Sequence, residues 1–422
     1  MDKLLVAIEN KQNERGDAIV SQMSADDWGE CLGKVNLSDT RSIFGFLARS
    51  EGRGNWGFVP AVSEPLADEN GTYVISQEEK TRLLASAVRT RLTIQEAAQR
   101  STSGEGDASD TDAGINLHLR PLGPFRERID GENFQSVTRL EVQKSVNNLA
   151  GRKTPGPDGL PGEIFERLSS LIPPLQVMLN AIYYWGNIPK SLRRLHVVLI
   201  RKPGKDSQKA ENRIPSSLLD AIMNIMEGIV YHRILLQVEP QLFAGQYFYG
   251  RARGAEHHLV SLMDASHRAL LRGQYVYVVS CDVAGAFDTV SHLGLVEALK
   301  TCGINGYTRR LIHNWIGGRT FVVENKTPQG TFLGSPVLIT SGLPQKGALS
   351  PLLWLIFYND IHKELDEMRR AWGDDTGAYR DFIFAGDITT VITAPTEEIL
   401  QKRANANAKD VQTVMERRLL SI

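Results

Sequence analysis

Apolar residues recur along this chain at two spacings. Residues 274–283, QYVYVVSCDV, alternate apolar and polar and end in an aspartate, the pattern of a half-buried strand. Two further β-rich runs, 381–385 and 388–393, are separated by Gly386–Asp387, which suits a tight two-residue hairpin turn. Helical spacing begins with SQEEKTRLLASAVRTRL. There Ser76 is placed to cap, Glu78 and Glu79 sit at the positive end, and Leu83, Leu84 and Val88 form a stripe. The same spacing predicts helices over Arg139–Leu149, 163–186, 216–239 and LGLVEALKTCG, and a long apolar helix from about Leu349 with Ser350 and Pro351 in its first turn. A short strand, His196–Ile200, runs into RKPGKD. Alternating strands and helices past residue 273 predict an α/β (α+β) fold built on a sheet.

The front of the chain differs in texture. Residues 1–100 read as a polar, mostly helical region with a break at 51–71, and 101–114 has no apolar period and reads as an exposed linker. Residues 151–163, by contrast, contain seven Gly or Pro in thirteen, which fixes a loop in one shape.

Composition changes this picture little. Hydrophobic residues are 42% and charged ones 23%, a globular balance, and no apolar run reaches the 18 residues of a spanning helix. The N-terminal segment lacks a secretory cleavage pattern. Cys31, Cys281 and Cys302 are too scattered for a disulfide framework or zinc site, which fits a reducing compartment. Charge is more telling. Residues 1–120 hold 13 Lys/Arg and 19 Asp/Glu of the chain's 48 and 49, so a net −6 precedes a net +5. An acidic front and basic body direct the search for nucleic acid to the second part.

Three segments can carry chemistry. Asp282, at the carboxyl end of its strand, either projects into a cleft or, with Asp288, caps the following helix. The glycine-rich GLPQKGALSP at 342–351 either brings backbone close to a ligand or is a loop before a core helix. FAGD at 384–387 is either a site or only a hairpin turn. Together and in this order, DVAGAFD, GLPQKGALSP and FAGD resemble motifs A, B and C of the reverse transcriptase palm. Upstream, KTPGPDGLPGEIFERL, LIRKPGKD and ENRIPSSLLDAIMNIMEGIVYHRI resemble the fingers of non-LTR retrotransposon enzymes, and GQYFYGRARGAEHHLVSLMDA fills the interval before motif A. The wording is similar to the ingi clade, and the resemblance covers roughly 135–422.

The resemblance implies a right-hand polymerase of palm and fingers with an antiparallel palm sheet. The expected division is a helical region at 1–100, a linker at 101–120, fingers at 121–272 and the palm at 273–422. The implied activity is RNA-directed DNA polymerisation from a primer 3′-end on an RNA or DNA template with deoxynucleotide triphosphates. Two Mg²⁺ ions, or Mn²⁺ in their place, would serve it. The implied metal contacts are Asp282, the carbonyl of Val283, and Asp387. Lys202 and Arg213 would face the triphosphate, Phe287 would screen the sugar 2′-position, and Gln345 would line the template–nucleotide pocket. No membrane association is implied, nuclear action follows from the family only, and binding should be to phosphate and salt-dependent.

The chain also departs from the family. Gly386 stands where motif C carries its first aspartate, so the metal centre is expected to be impaired, and Lys346 puts a long cation in the tight motif B loop. NRIPSS leaves the register around Arg213 open. The chain ends 35 residues beyond Asp387, so a thumb is expected to be missing or incomplete, as in a fragment. A catalytically inactive nucleic-acid-binding remnant, or a pseudogene product, is therefore the alternative function. Elsewhere the expectations are structural. Trp185, Trp315 and Trp354 are read as core, Cys281 as buried packing, and Asp288 and Asn359 as hydrogen-bonding. His257–His258 is read as helix surface, and Asp374–Asp375 as a solvated loop.

Overall fold

The computed structural model describes residues 65–92 and 122–420, apart from 69, 130, 150, 152–153, 202–205, 207, 249–252, 284, 328–329, 346, 372, 374–375 and 419. Lys202, Lys346, Asp374–Asp375, the linker at 101–120 and most of the front region lie outside the described residues.

A two-strand hairpin, β1 (Leu66–Ala67) and β2 (Tyr73–Val74), precedes α1 (Gln77–Leu92), which buries Leu84, Val88 and Leu92 as its period requires. The hairpin is the first departure, because helix was expected around that break. Next come α2 (Arg139–Asn147), α3 (Glu163–Arg167) and α4 (Ile172–Trp185). A reciprocal cap starts α2: Thr138 Oγ1 accepts from the Glu141 amide at 3.2 Å, and Glu141 Oε2 accepts from the Thr138 amide at 2.8 Å. The single helix expected over 163–186 is two, because Pro173–Pro174 can only open a helix and do so at the first turn of α4.

Strand β3 (Arg194–Arg201) pairs antiparallel with β4 (Arg213–Leu218), followed by α5 (Ala221–Val238). The sequence reading placed helix from 216, but RIPSSL extends along β3. Pro215 is tolerated because β4 is an edge strand, whose proline need not donate to a neighbour. Helix α6 (Ala255–Leu271), β5 (Tyr275–Cys281), α7 (His292–Thr301) and α8 (Gly306–Ile316) lead to β6 (Thr320–Thr327), β7 (Gly330–Leu333) and β8 (Val337–Leu338). The chain continues through α9 (Ser350–Tyr358), α10 (Ile361–Ala371), β9 (Tyr379–Phe384), β10 (Asp387–Ala394) and α11 (Glu397–Arg417). The long helix from Leu349 is thus broken at Asn359–Asp360. Asn359 turns its amide to Phe243 N and Gln241 O instead, the structural role expected of it.

Two sheets organise the molecule. One runs β4-β3-β6-β7, with β8 on β6, and β3 lies parallel to β6. It joins strands from both sides of the boundary drawn at residue 272, and α1 packs on β6 and β7. The other is the antiparallel sheet β5-β10-β9. Its two faces carry different helices. Asp381 and Thr390 face α10 and α11, whereas Phe382 and Phe384 meet His258 of α6 at ring distances of 6.2 and 6.0 Å. His258 is therefore not ordinary helix surface, although the exposed His257 is. Trp315 and Trp354 are core, at 3% and 0% exposure. Trp185 is not, at 68%: Tyr183 takes the inward position at the end of α4 and Gly186, at φ 63°, turns the chain away. Among the described residues no helix is long and apolar enough to cross a membrane.

One buried ion pair fastens the second sheet. Arg369 of α10 donates from Nη1 and Nη2 to both Asp381 oxygens, at 2.8 and 2.9 Å, and Nη2 reaches Asn407 Oδ1 at 2.8 Å. Thr390 Oγ1 donates to the same carboxylate at 2.7 Å. A buried pair adds little over an apolar replacement of both partners, but removing one strands the other. Arg369→Leu is expected to destabilise the fold by about 3–5 kcal/mol, read as a denaturation midpoint; a loss below about 1 kcal/mol would show that water reaches Asp381.

Candidate active site

The register of the second sheet builds the site. Ile388 pairs with Cys281, so the next residues outward, Asp387 on β10 and Asp282 after β5, meet across the strand pair. Burial together with the neighbouring Asp282 carboxylate holds the Asp387 carboxyl above the ordinary aspartate range. Two carboxylates side by side disfavour each other's charged form.

The turn between β9 and β10 is Ala385–Gly386, because Asp387 pairs with Phe384. The expected turn was Gly386–Asp387, one residue later. Asp387 is instead the first residue of β10, and Ala385 takes the left-handed position at φ 56°. Helix α9 pins this turn from behind: Trp354 Nε1 donates to Ala385 O at 3.0 Å, and Tyr358, one turn on, donates from its hydroxyl to Gly386 O at 3.2 Å. Burial pushes the Tyr358 phenol up, so it remains a donor. These two anchors were missed; their i, i+4 spacing after motif B was the available signal. Burial also pushes up the half-buried Cys281 thiol, which leaves it packing, as expected.

Gly386 is buried against motif A. A Cβ there would lie 3.3 Å from Ala286 Cβ and 3.6 Å from Val283 Cβ, on the Asp282 side of the turn. A carboxylate at 386 would thus project toward the loop that follows Asp282.

Motifs A and B are clasped together. Gly342 N donates to Val290 O at 2.8 Å, Leu343 N to Phe287 O at 2.7 Å, and Gln345 Nε2 to Asp288 Oδ1 at 2.8 Å. Asp288 therefore makes structural hydrogen bonds, as expected. His292 Nε2 bonds Gly342 O at 2.9 Å, and burial pushes its ring down to about 4, so it stays neutral and donates. Gly342, at φ 82°, has no room for a side chain: a Cβ would lie 2.6 Å from Asp288 O. Behind the loop, buried Glu227 of α5 accepts from Trp315 Nε1 at 3.0 Å and approaches Leu349 N at 3.5 Å. Burial drives the Glu227 carboxyl up and pushes the Arg319 guanidinium, 3.9 Å away, down to about 10.

The structure therefore brings Asp282, Val283, Phe287, Gln345, Gly386 and Asp387 to one place, with the Phe287 ring 5.9 Å from Trp354. Arg213 stands apart. It is 2% exposed and its carbonyl accepts from Arg91 Nη1 at 2.9 Å. Pro215 and Ser217, on its strand face, do reach motifs A and B, lining a cavity of about 10 Å³ with Asp288 and Gln345. A larger cavity of about 230 Å³ lies between the 154–162 loop and α5, and Ala348 of motif B also lines it.

The donor set decides what the centre can hold. Hard divalent cations take carboxylate oxygens, and two carboxylates in mutual contact suit one such ion. Among the described residues no group of three or more acidic, histidine or cysteine side chains is placed to hold a metal.

The profile of the reverse transcriptase (RNA-dependent DNA polymerase) family matches residues 200–421. Curated proteins of mobile elements are similar to the chain as well. The chain is 29% identical over 228 residues to the RNA-directed DNA polymerase from mobile element jockey of Drosophila funebris, covering 53% of this chain and 24% of the relative. It is 24% identical over 328 residues to the jockey polymerase of Drosophila melanogaster, covering 75% and 34%. It is also similar, at 26% over 260 residues, to the Pol polyprotein of type-1 retrotransposable element R1 of Bradysia coprophila, covering 60% and 24%. The chain thus spans a quarter to a third of these relatives' length.

A raised carboxyl pKa means that the folded chain keeps a proton the unfolded chain has released, so Asp387 lowers stability as pH rises past the ordinary aspartate range. Asp387→Asn is expected to unfold at the same temperature as the native chain in acid and at a higher one near neutrality. Melting curves across pH check this; parallel curves would mean that the two carboxyls do not meet.

Proposed function

The chain belongs to the reverse transcriptase family, and from that premise we propose that it is the fingers and palm of a non-LTR retrotransposon RNA-directed DNA polymerase whose carboxylate centre is one aspartate short. The contact of Asp282 with Asp387 carries the reading, since two strands deliver aspartates to one point beside the motif A–motif B clasp. Asp282, Asp387 and the Val283 carbonyl would hold a divalent cation, Mg²⁺ or Mn²⁺. When bound, such ions activate the primer hydroxyl and neutralise the triphosphate. Phe287 screens the sugar 2′-position, and Gln345, held by Asp288, lines the template–nucleotide pocket. Lys202 supplies charge to the triphosphate; Arg213 does so only if its packing opens. Primer 3′-end, template and deoxynucleotide triphosphate are the substrates.

Gly386 favours a second reading, in which the centre no longer turns over and the chain only binds nucleic acid. Loss of one electrostatic stabiliser costs roughly 10²–10³-fold in rate, and the missing group here belongs to the metal site.

Primer extension on a heteropolymeric RNA template separates the two. Gly386→Asp is expected to extend at least about 10²-fold faster than the native chain with Mg²⁺ present, and Asp282→Ala in either background to abolish extension. Native extension equal to that of Gly386→Asp would show that two aspartates suffice. No extension by either, with salt-dependent template binding intact, would leave the binding function alone.

A further inference from the structure

Helix α4 contains no charged residue, and its outward face is apolar. Val177 is 71% exposed and Trp185, at the helix end, 68%. The aromatic end is rigid. Tyr184 sits edge-on to Phe134 at 5.0 Å and against Tyr307 at 5.7 Å, and Trp185 stands edge-on to Tyr184 at 5.0 Å, leaving the indole outermost.

Cations follow this platform closely along the chain. The segment 184–194, YWGNIPKSLRR, has Lys190, Arg193 and Arg194 and no acidic residue. Arg310 joins them: it donates to Tyr184 O and would meet a Cβ on Gly186 at 2.8 Å. None of the four pairs with a carboxylate among the described residues, whereas nearby Arg309 and Lys300 both pair with Glu127. Cations left unpaired beside exposed aromatic rings suit a partner that offers both flat π-faces and phosphates, which is single-stranded nucleic acid. In a duplex the base faces are already stacked on one another.

We propose that Tyr184, Trp185, Lys190, Arg193, Arg194 and Arg310 form a stacking site for a single strand that uses none of the residues of the carboxylate centre. Arg194 opens β3 and Arg201 closes it beside the expected triphosphate contact, so the platform lies roughly 23 Å from that contact. The other end of the strand faces the clasp: Leu195, next to Arg194, lines the small cavity with Asp288 and Gln345. The proposal rests on the chain being a nucleic-acid partner but not on its centre turning over, and it adds a grip on the template or the displaced strand.

Fluorescence anisotropy with labelled 20-mer single-stranded RNA and DNA tests this. Trp185→Ala is expected to weaken single-strand binding by roughly 5- to 100-fold and to leave blunt-duplex binding unchanged, while Trp185→Phe retains most of the affinity. Lys190→Glu with Arg194→Glu should weaken binding and flatten the salt dependence by roughly 1.4 in log–log slope. The residues are exposed, so melting temperatures should hold. Quenching of intrinsic tryptophan emission by the strand should shrink in Trp185→Phe. Tighter binding of RNA assigns the site to the template, and equal or tighter binding of DNA to a displaced strand. Unchanged single-strand affinity in both Trp185→Ala and the charge-reversed variant overturns the proposal. So does a native dimer that Trp185→Ala dissociates without loss of strand affinity, since the face would then belong to a second copy. A chain that never extends a primer yet shows Trp185-dependent binding loses the polymerase reading and keeps this one.

Discussion

The pairing of β10 against β5 is the constraint on which the site depends. With Ile388 opposite Cys281, two aspartates have no choice but to meet, and a slip of one residue would turn every side chain of the strand to the other face. Such a meeting is unfavourable in itself, because each carboxylate disfavours the charge of the other. The sheet tolerates it because register is fixed elsewhere. Ile388 and Val391 are buried, the Ser280 and Thr389 hydroxyls bond across the strands at 3.0 Å, and Asp381 is locked to Arg369. Stability gathered along the strands thus offsets the crowding at their ends, where Asp282 and Asp387 stand.

The same division of labour governs motif B. Gln345 and Phe287 owe their positions to backbone bonds between two glycine-containing loops, and those loops rest on Glu227, Trp315 and Arg319, which lie in the interior. Arg319 stacks 4.2 Å over the Trp315 ring, and Nη1 and Nη2 find no hydrogen-bond partner. A desolvated cation of this kind is costly to the fold. It places charge within reach of the carboxylate that faces the first amides of α9. Gln345 and Phe287 are therefore held by interactions that lie in the interior behind them.

Much of this was legible in the sequence. Alternation located β5, β9 and β10, and motif order placed Asp282, Phe287, Gln345 and Asp387 around one point. What escaped did so for identifiable reasons. Residues 216–218 were taken for helix because their strand partner, β3, is a tertiary fact that local pattern does not carry. The hairpin was placed one residue late because Gly–Asp satisfies turn preferences, while register across two neighbouring strands put Ala385 in the left-handed position instead. Trp185 was assigned to the core on composition, yet helix period sends Tyr183 inward and Trp185 out. Trp354 was correctly read as buried, but its bond to the motif C turn needed the third dimension. Arg213 was assigned to the nucleotide from motif wording; the structure leaves it 2% exposed, with its carbonyl bonded to Arg91 of α1.

The turn also separates two explanations of Gly386. If glycine were there for backbone freedom, it would occupy the left-handed position. That position belongs to Ala385, where an L-residue costs roughly 1–2 kcal/mol, while Gly386 has no positive φ. The backbone therefore gains nothing from glycine at 386, and the only property lost is the side chain. Motif A has closed to within 3.3 Å of where the Cβ would stand, so the space is close-fitting but not filled by backbone. Glycine at 386 thus changes the side chain and leaves the backbone of the turn as it is. The turn, its two anchors from α9 and the facing aspartates surround the place where a side chain at 386 would stand.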